Sequence, residues 1–255
     1  MDYGLIGEKL GHSYSKEIHE KIAPYTYELK EIAPEDVDSF MRKKAFKAIN
    51  VTIPYKQTVI PYLDEISPTA GEIGAVNVVV NRQGRLIGDN TDFAGICALI
   101  KHAGVEVEGR KVLVAGTGGT SKTASYAAQS LNAAEVIRIS RSGREGAVTY
   151  EEAYERHADA QILFNTTPCG MFPDTEGIPV DIERLPRLEG VIDVIYNPIE
   201  TNLVKAAGAK GLKAEGGLYM LVAQAVYACA LFLEREADSA DIDRVYEELL
   251  KEKLS

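Results

Sequence analysis

The chain has 255 residues, 45% of them hydrophobic and 26% charged, enough for a full core in one large domain or two small ones. Its formal net charge of −10 argues against a nucleic-acid partner or an anionic membrane surface, and any anionic ligand needs locally placed cations. Cys97, Cys169 and Cys229 are odd in number and lack metal-ligand spacing, and His12, His19, His102 and His157 form no paired pattern. Reduced thiols and no metal are expected.

The chain opens on strand-like MDYGLIG, without the basic and long apolar regions of a signal peptide. Tyr3 to Gly7 reads as a first strand, Gly11 to Ser15 as a turn and Lys16 to Ile22 as a helix. Tyr25 to Ile32 suggests a second strand. Pro34-Glu35-Asp36 then opens a helix at about Glu35 to Arg42, with Pro and acids where helix starts favour them. Phe46 to Ile53 reads as a strand stopped by Pro54, followed by a helix around Gln57 to Leu63. Ala75 to Asn81 and Arg85 to Gly88 flank Gln83-Gly84, the pattern of a hairpin. Phe93 to His102 is a helix with Gly104 as its C-cap candidate, and it bridges to the next unit.

In that second unit, strands are expected at Val112–Ala115, Glu135–Ser140, Ile162–Asn165, Gly190–Val194 and Leu212–Ala214, with helical stretches between several of them. This alternation implies parallel strands. Two helices, Leu218 to Glu236 and Ser239 to Lys253, close the chain. Leu218 to Leu233 is the most apolar long run, but it is short for a membrane span and contains Gln224, so a buried helix in a soluble cytoplasmic protein is expected.

The stretch after Val112–Ala115 carries the first chemistry. Gly116-Thr117-Gly118-Gly119-Thr120-Ser121 is a glycine-rich turn between a strand and an Ala-rich helix read from Lys122 to Leu131. In such a unit, glycines let backbone amides approach a pyrophosphate, and the helix N-terminus adds partial positive charge. Gly116 and Gly118 match the dinucleotide template, whereas Ser121 stands where Gly or Ala is usual. The following strand ends in Ser140-Arg141-Ser142-Gly143-Arg144, with two arginines and no acid for a ribose hydroxyl. Guanidinium groups suit a 2′-phosphate, which favours NADP over NAD. As alternatives, the glycines serve an ordinary turn and the arginines are solvated loop charges.

Polar residues also interrupt the apolar strands of the first unit. Asn50 and Thr52 break Ile49-x-Val51-x-Ile53, Lys56 follows Pro54, Asn77 breaks the Ala75–Val79 run, and Asp89-Asn90-Thr91-Asp92 closes the hairpin. Strand ends in α/β folds are where ligand groups collect, and this set of hydroxyls, amides, one amine and one carboxylate suits a small polyhydroxylated acid. Each residue has a plainer reading. Ser13 or Ser15 serves equally as a helix cap, Asp92 as the N-cap of Phe93–His102, Lys56 as a surface lysine, and Asn50 and Asn77 as turn residues.

Taken together, these residues resemble the shikimate dehydrogenase family over essentially the whole chain. The family's Ser-x-Ser is matched by Ser13-Tyr14-Ser15, its Asn-Val-Thr-x-Pro-x-Lys by Asn50 to Lys56 and its Gly-Ala-Val-Asn by Gly74 to Asn77. Its Asn-Thr-Asp-x-x-Gly is matched by Asn90 to Gly95 and its Gly-x-Gly-Gly-x-Ser by Gly116 to Ser121. Asn165 to Met171, Asp193 to Pro198 and Gly217 to Gln224 complete the match.

The resemblance implies an α/β protein of two domains: residues 1–92 with 219–255 for substrate binding and catalysis, and a Rossmann-type NADP-binding domain over 93–218, the C-terminal helices returning to the first domain. It implies NADP-linked interconversion of 3-dehydroshikimate and shikimate in aromatic amino-acid biosynthesis, by a monomer or homodimer. Lys56 is then the proton donor or acceptor, with Asp92 beside it. Ser13, Ser15, Thr52, Lys56, Asn77, Asp92, Tyr196 and Gln224 hold the substrate. Gly116, Thr117, Gly118, Gly119 and Thr120 hold the pyrophosphate. Arg141, within Ser140, Ser142 and Arg144, holds the 2′-phosphate, and Val194 and Gly217 lie near the nicotinamide.

Burial lowers a lysine pKa and an adjacent aspartate raises it, so Lys56 and Asp92 are expected to act as a coupled pair. Ser13 and Ser15 are expected to bind the substrate carboxylate as neutral donors. The chain departs from the family at Lys16, where Pro is common, and at Glu20, where Asn is common. Further departures are Ser140 and Ser142, where Asn and Thr often flank the arginine, and Thr120 and Lys122 in the glycine turn.

Overall fold

Two sheets, each with its own core, divide the chain in the computed structural model, which describes residues 1–11, 13–144 and 146–254. Met1–Ala94 and Val222–Ser255 make one unit and Gly95–Leu221 the other. His12 lies outside the described residues.

In the first unit β1 (Tyr3–Gly7), α1 (Ser15–Ile22), β2 (Tyr27–Glu31), α2 (Val37–Lys43), β3 (Ala48–Val51), β4 (Glu65–Ile66), α3 (Pro68–Ile73), β5 (Val78–Arg82) and β6 (Arg85–Asp89) follow in turn. The strands order as β2-β1-β3-β5-β6-β4. β2, β1 and β3 are parallel, β5 runs antiparallel to β3 and β6, and β4 is parallel to β6. Alternation along these strands makes two cores. Ile6, Ile49, Val51, Val79 and Leu86 face Val37, Met41 and Ala70, whereas Leu5, Ala48, Val78 and Val80 face Ala228 and Phe232 near the C-terminus. The hairpin turn is Gln83-Gly84, both with positive φ, as a two-residue turn of this twist requires.

The helix expected over Gln57 to Leu63 is not formed. Turns and a single 3-10 segment, Ile60–Tyr62, replace it. Pro61 has no N–H to give to Gln57 and disfavours α geometry at Ile60, so the bonds tighten to Ile60–Gln57, Tyr62–Val59 and Leu63–Ile60.

α4 (Thr91–His102) follows the hairpin, then β7 (Lys111–Ala115), α5 (Gly119–Ser130), β8 (Glu135–Ser140), β9 (Val148–Thr149), α6 (Tyr150–Arg156), β10 (Ile162–Asn165), β11 (Gly190–Asp193), α7 (Asn202–Ala209) and β12 (Lys213–Glu215). The second sheet has the order β12-β11-β10-β7-β8-β9, every pair parallel. This is the doubly wound arrangement in which strand order reverses beside the first strand, between β7 and β10, and ligands bind at the carboxyl ends of the strands there. Leu113, Ile139, Leu163 and Val191 pack on Ala153, Leu203 and Ala207 from α6 and α7.

The short helices are set by their caps. Ser67 and Pro68 start α3 and left-handed Gly74 ends it; Thr149 and Glu152 form a capping box at α6; Thr201 caps α7. α8 (Leu218–Leu233) and α9 (Ser239–Leu254) end the chain. From α9, Glu252 pairs with Lys21 at 2.9 Å and Lys253 with Glu17 at 3.0 Å, both on α1, which carries the C-terminal helices back to the first sheet. No helix of the described residues is long and apolar enough to cross a membrane.

Candidate active site and dinucleotide site

Three segments of the first unit meet at Lys56. Val51 N–H donates to Asn77 O at 2.8 Å, Val76 N–H to Lys56 O at 2.8 Å, and Asn77 N–H to Asp89 O at 3.1 Å. These backbone bonds lay the Asn50–Lys56 loop alongside Asn77 and the end of β6. Lys56 Nζ then donates to Asp92 Oδ2 at 2.6 Å, with the two side chains only 14% and 10% exposed. Asn77 Nδ2 donates to Asp92 Oδ1 at 2.9 Å, and Asn77 Oδ1 accepts from Thr91 N–H at 2.7 Å.

Asp92 is therefore not the cap of α4. Asn90 takes that place, its Oδ1 accepting from Phe93 N–H at 3.2 Å while its Nδ2 donates to Ala75 O at 2.9 Å. Both oxygens of Asp92 are left for Lys56 and Asn77. Nor is Lys56 a solvated surface lysine. Its ammonium carries three N–H groups and has no other side-chain partner among the described residues, so it has donors to spare for a ligand oxygen.

The serine pair lies at the start of α1. Ser13 Oγ donates to Ser15 Oγ at 3.1 Å and accepts from Ser15 N–H at 3.2 Å. Ser13 thus supports the helix start, although Tyr14 occupies the cap position. One turn further on, buried His19 stacks on Tyr27 at 4.0 Å, and Tyr27 Oη donates to Asn50 Oδ1 at 2.7 Å. Burial pushes His19 down to about 3, so it stays neutral. Asn50 serves the interior rather than a turn.

The departures at Lys16 and Glu20 belong together. Lys16 Nζ donates to Glu20 at 2.6 Å and to Tyr27 O at 2.9 Å, while Glu20 accepts from Tyr27 N–H at 3.2 Å. The pair satisfies both backbone groups at the first residue of edge strand β2. Thr52 is half-buried and donates its backbone N–H to Ile6 O at 2.9 Å, and Gln224 is buried on α8. Tyr196, half-buried, stands in the second unit after β11.

In that unit the glycine turn leaves the end of β7. Gly116 has φ +118°, and a Cβ there would sit 2.5 Å from Thr166 Oγ1, so a side chain is excluded twice over. Gly118 precedes the helix, with open space where its side chain would be. α5 starts at Gly119, three residues before the expected Lys122, which puts Thr120 and Ser121 in its first turn. Ser121 Oγ donates to Gly116 O at 2.6 Å and clamps the turn from inside, which accounts for serine at the template's third position. Glycine backbone, open space and unshared first-turn N–H groups fit a pyrophosphate.

After β8, Ser140 Oγ accepts from Gly143 N–H at 3.1 Å, which makes the loop turn while Arg141, Ser142 and Arg144 stay exposed. Arg141 is close enough for its charge to act on Tyr150, whose hydroxyl is pushed up mainly by burial. Val194 and Gly217 come together: a Cβ on Gly217 would lie 2.2 Å from Val194 O, and Gly217 N–H donates to Ile195 O at 2.7 Å. Sequence reasoning named Asn90 and Thr91 only within the Asp89–Asp92 and Asn90–Gly95 runs and gave neither a role of its own. The signal was the Asn-Thr-Asp run at a helix start. It also gave no role to Asp193, the buried last residue of β11.

Fold and site together define a dehydrogenase of the two-domain α/β class with a Rossmann-type nucleotide sheet. Residues 5–79 match the family described as shikimate dehydrogenase substrate binding domain. A shikimate dehydrogenase (NADP(+)) from Clostridium perfringens is 34% identical, with 97% of each chain covered. A chorismate mutase/shikimate 5-dehydrogenase fusion protein from Clostridium acetobutylicum has a crystal structure that superposes with a TM-score of 0.92 at 33% identity, covering 99% of this chain and 98% of that one. A shikimate 5-dehydrogenase from Thermus thermophilus, crystallised with NADP(H) and shikimate, gives a TM-score of 0.86 at 28% identity, covering 97% and 99%. The chain belongs to the shikimate dehydrogenase family.

Proposed function

We propose that this chain catalyses the reversible, NADPH-dependent reduction of 3-dehydroshikimate to shikimate, a step of aromatic amino-acid biosynthesis. The observation that carries this reading is the Lys56–Asp92–Asn77 cluster, held in the unit that contains the match to the family's substrate-binding domain. Ketone reduction needs a hydride at carbon and a proton at oxygen. When bound, NADPH supplies the hydride. Lys56 gives the proton to the substrate oxygen and takes it back in the reverse direction, while Asp92 holds the amine in place and Asn77 holds Asp92. Ser13 and Ser15 receive the substrate carboxylate without adding charge, and Thr52, Tyr196 and Gln224 bind its remaining oxygens.

On the nucleotide side, Gly116, Thr117, Gly118, Gly119 and Thr120 hold the pyrophosphate. Arg141, supported by Ser140, Ser142 and Arg144, meets the 2′-phosphate, and Val194 and Gly217 border the nicotinamide. The substrate-binding and catalytic domain is residues 1–92 with 219–255, and the NADP-binding domain is 93–218. With a net charge of −10 and these small-molecule sites, the enzyme works in the cytoplasm without nucleic acid or membrane, as a monomer or homodimer. The test is spectrophotometry of the purified protein with shikimate or quinate, each with NADP or NAD. Fastest turnover of shikimate with NADP is expected. Preference for quinate, or no turnover at all, overturns the reading.

A further inference from the structure

Among the described residues of the second unit, Asp193 is the one wholly buried acid, and the proposed chemistry leaves it without work. It ends β11, at the same carboxyl end of the parallel strands as the Gly116 turn. Its Oδ1 accepts from Asn165 Nδ2 at 2.9 Å and from Ile195 N–H at 3.1 Å, and its Oδ2 accepts from Thr201 Oγ1 at 2.8 Å. Each contact reaches a different segment: the end of β10, the loop after β11, and the cap of α7.

Two of these arms continue to opposite parts of the nucleotide site. On one side Asn165 Oδ1 accepts from Thr167 N–H at 3.0 Å and from Thr167 Oγ1 at 2.8 Å. That fixes the peptide beside Thr166, whose N–H and hydroxyl both donate to Ala115 O and whose oxygen walls Gly116. On the other side Ile195, held by its N–H, accepts Gly217 N–H through its carbonyl, and Gly217 packs on Val194. One carboxylate thus spans from the wall of the pyrophosphate turn to the Val194–Gly217 shelf.

We infer that Asp193 is a positioning residue that sets the separation between the Gly116 turn and the Val194–Gly217 shelf, and so fixes where the nicotinamide ring lies. The inference rests on the NADP-dependent reading above. Burial pushes Asp193 up to about 6, although Asn165, Ile195 and Thr201 all donate to it. A carboxyl kept at such a cost to ionisation is poorly explained by stability alone. Its titratable neighbour is Cys169, raised by burial first and by the Asp174 and Asp193 charges after.

The experiment uses the full chain with three substitutions, Asp193→Ala, Asp193→Asn and Asn165→Ala. NADPH affinity is read from the fluorescence of bound NADPH, which needs no substrate. Hydride transfer is read from turnover and from the isotope effect with NADPH deuterated at the transferred position. Asp193→Ala should weaken NADPH binding about tenfold and slow turnover at saturation at least tenfold with a changed isotope effect, leaving the shikimate KM within about twofold. Asp193→Asn keeps an acceptor for Asn165 and Ile195 and should restore both to within about threefold. Asn165→Ala cuts only the arm to the turn and should show a smaller loss of the same kind.

If Asp193→Ala and Asn165→Ala both bind and use NADPH within twofold of the parent, the inference is overturned. If Asp193→Ala does not fold, Asn165→Ala decides alone. A parent protein that binds NADPH yet ignores shikimate refutes the substrate reading instead, and the fluorescence arm still tests Asp193.

Discussion

Replacing Asp92 by Asn is the sharpest probe of the reaction centre, because it changes one atom's chemistry and almost nothing else. Oδ1 still accepts from Asn77 at 2.9 Å. Oδ2, which takes the Lys56 ammonium at 2.6 Å, becomes an amide N–H₂ that can only donate. A hydrogen bond between charged groups contributes about 1.5–3 kcal/mol. If that interaction holds the amine where the substrate oxygen will be, its loss should lower turnover by about tenfold to a hundredfold. The assay is NADPH formation from shikimate at saturating substrates, with NADP affinity measured separately and expected to hold within twofold. Lys56→Ala alone should cost about a hundredfold or more, the usual weight of a proton-transfer group. The double variant then decides. Residues acting as one unit are not additive, so Lys56→Ala with Asp92→Asn should be no slower than Lys56→Ala by itself. Additive losses, or Asp92→Asn within threefold of the parent, would refute the coupled pair.

Arg141→Ala should reduce the ratio of kcat/KM for NADP over NAD by about tenfold to a hundredfold, the worth of one charge-assisted contact, with shikimate KM unmoved; an unchanged ratio returns Arg141 to the solvated loop. Gly217→Ala would place a Cβ 2.2 Å from Val194 O, so the shelf must shift; weaker NADPH binding and a lower Tm are expected together, and a variant with normal values of both would show the contact to be soft. Asp193 ionises at about 6 in the folded chain against an ordinary 3.8. Between those values the folded chain holds a proton that the unfolded chain has released, so stability falls as pH rises through that window. The total is about 3 kcal/mol, at about 1.4 kcal/mol per pKa unit. Asp193→Asn lacks the titration, and urea unfolding should therefore show its stability relative to the parent improving by roughly that amount between about pH 4 and pH 7; a pH-independent difference would exclude it.

Much of this was open to reading in the chain, for reasons that differ by residue. The strand, glycine turn and helix around Gly116 are local, and local order is what periodicity and turn chemistry report. Asn77 was visible because an amide in an apolar strand demands a partner. Its partners Thr91 and Asp92 were harder to read, since that bond depends on how the hairpin folds back onto the loop at Lys56. The α3 caps were in plain view as Ser67, Pro68 and Gly74, yet the apolar stripe between them, Ala70 and Ile73, is too short to register as a period. The opposite failure occurred over Gln57–Leu63, where a helix was expected and Pro61 forbade it. The work of Ser121 was hidden because a template records which residues are absent, here a third glycine, and not what replaces them.

The two units solve one problem twice. In each, an asparagine at or next to a strand terminus donates its Nδ2 to an aspartate Oδ1 at 2.9 Å: Asn77, just before β5, to Asp92, and Asn165, ending β10, to Asp193. What differs is the partner of the second oxygen. Asp92 receives a lysine ammonium, so its charge is neutralised at a group that can exchange a proton with a ligand. Asp193 receives a threonine hydroxyl that also caps a helix, so its charge is left to burial and pushed toward protonation. In the proposed chemistry the same amide–carboxylate clamp is reactive where it ends in an ammonium and rigid where it ends in a helix cap. Asp92 should accordingly be intolerant of Asn, and Asp193 should accept it.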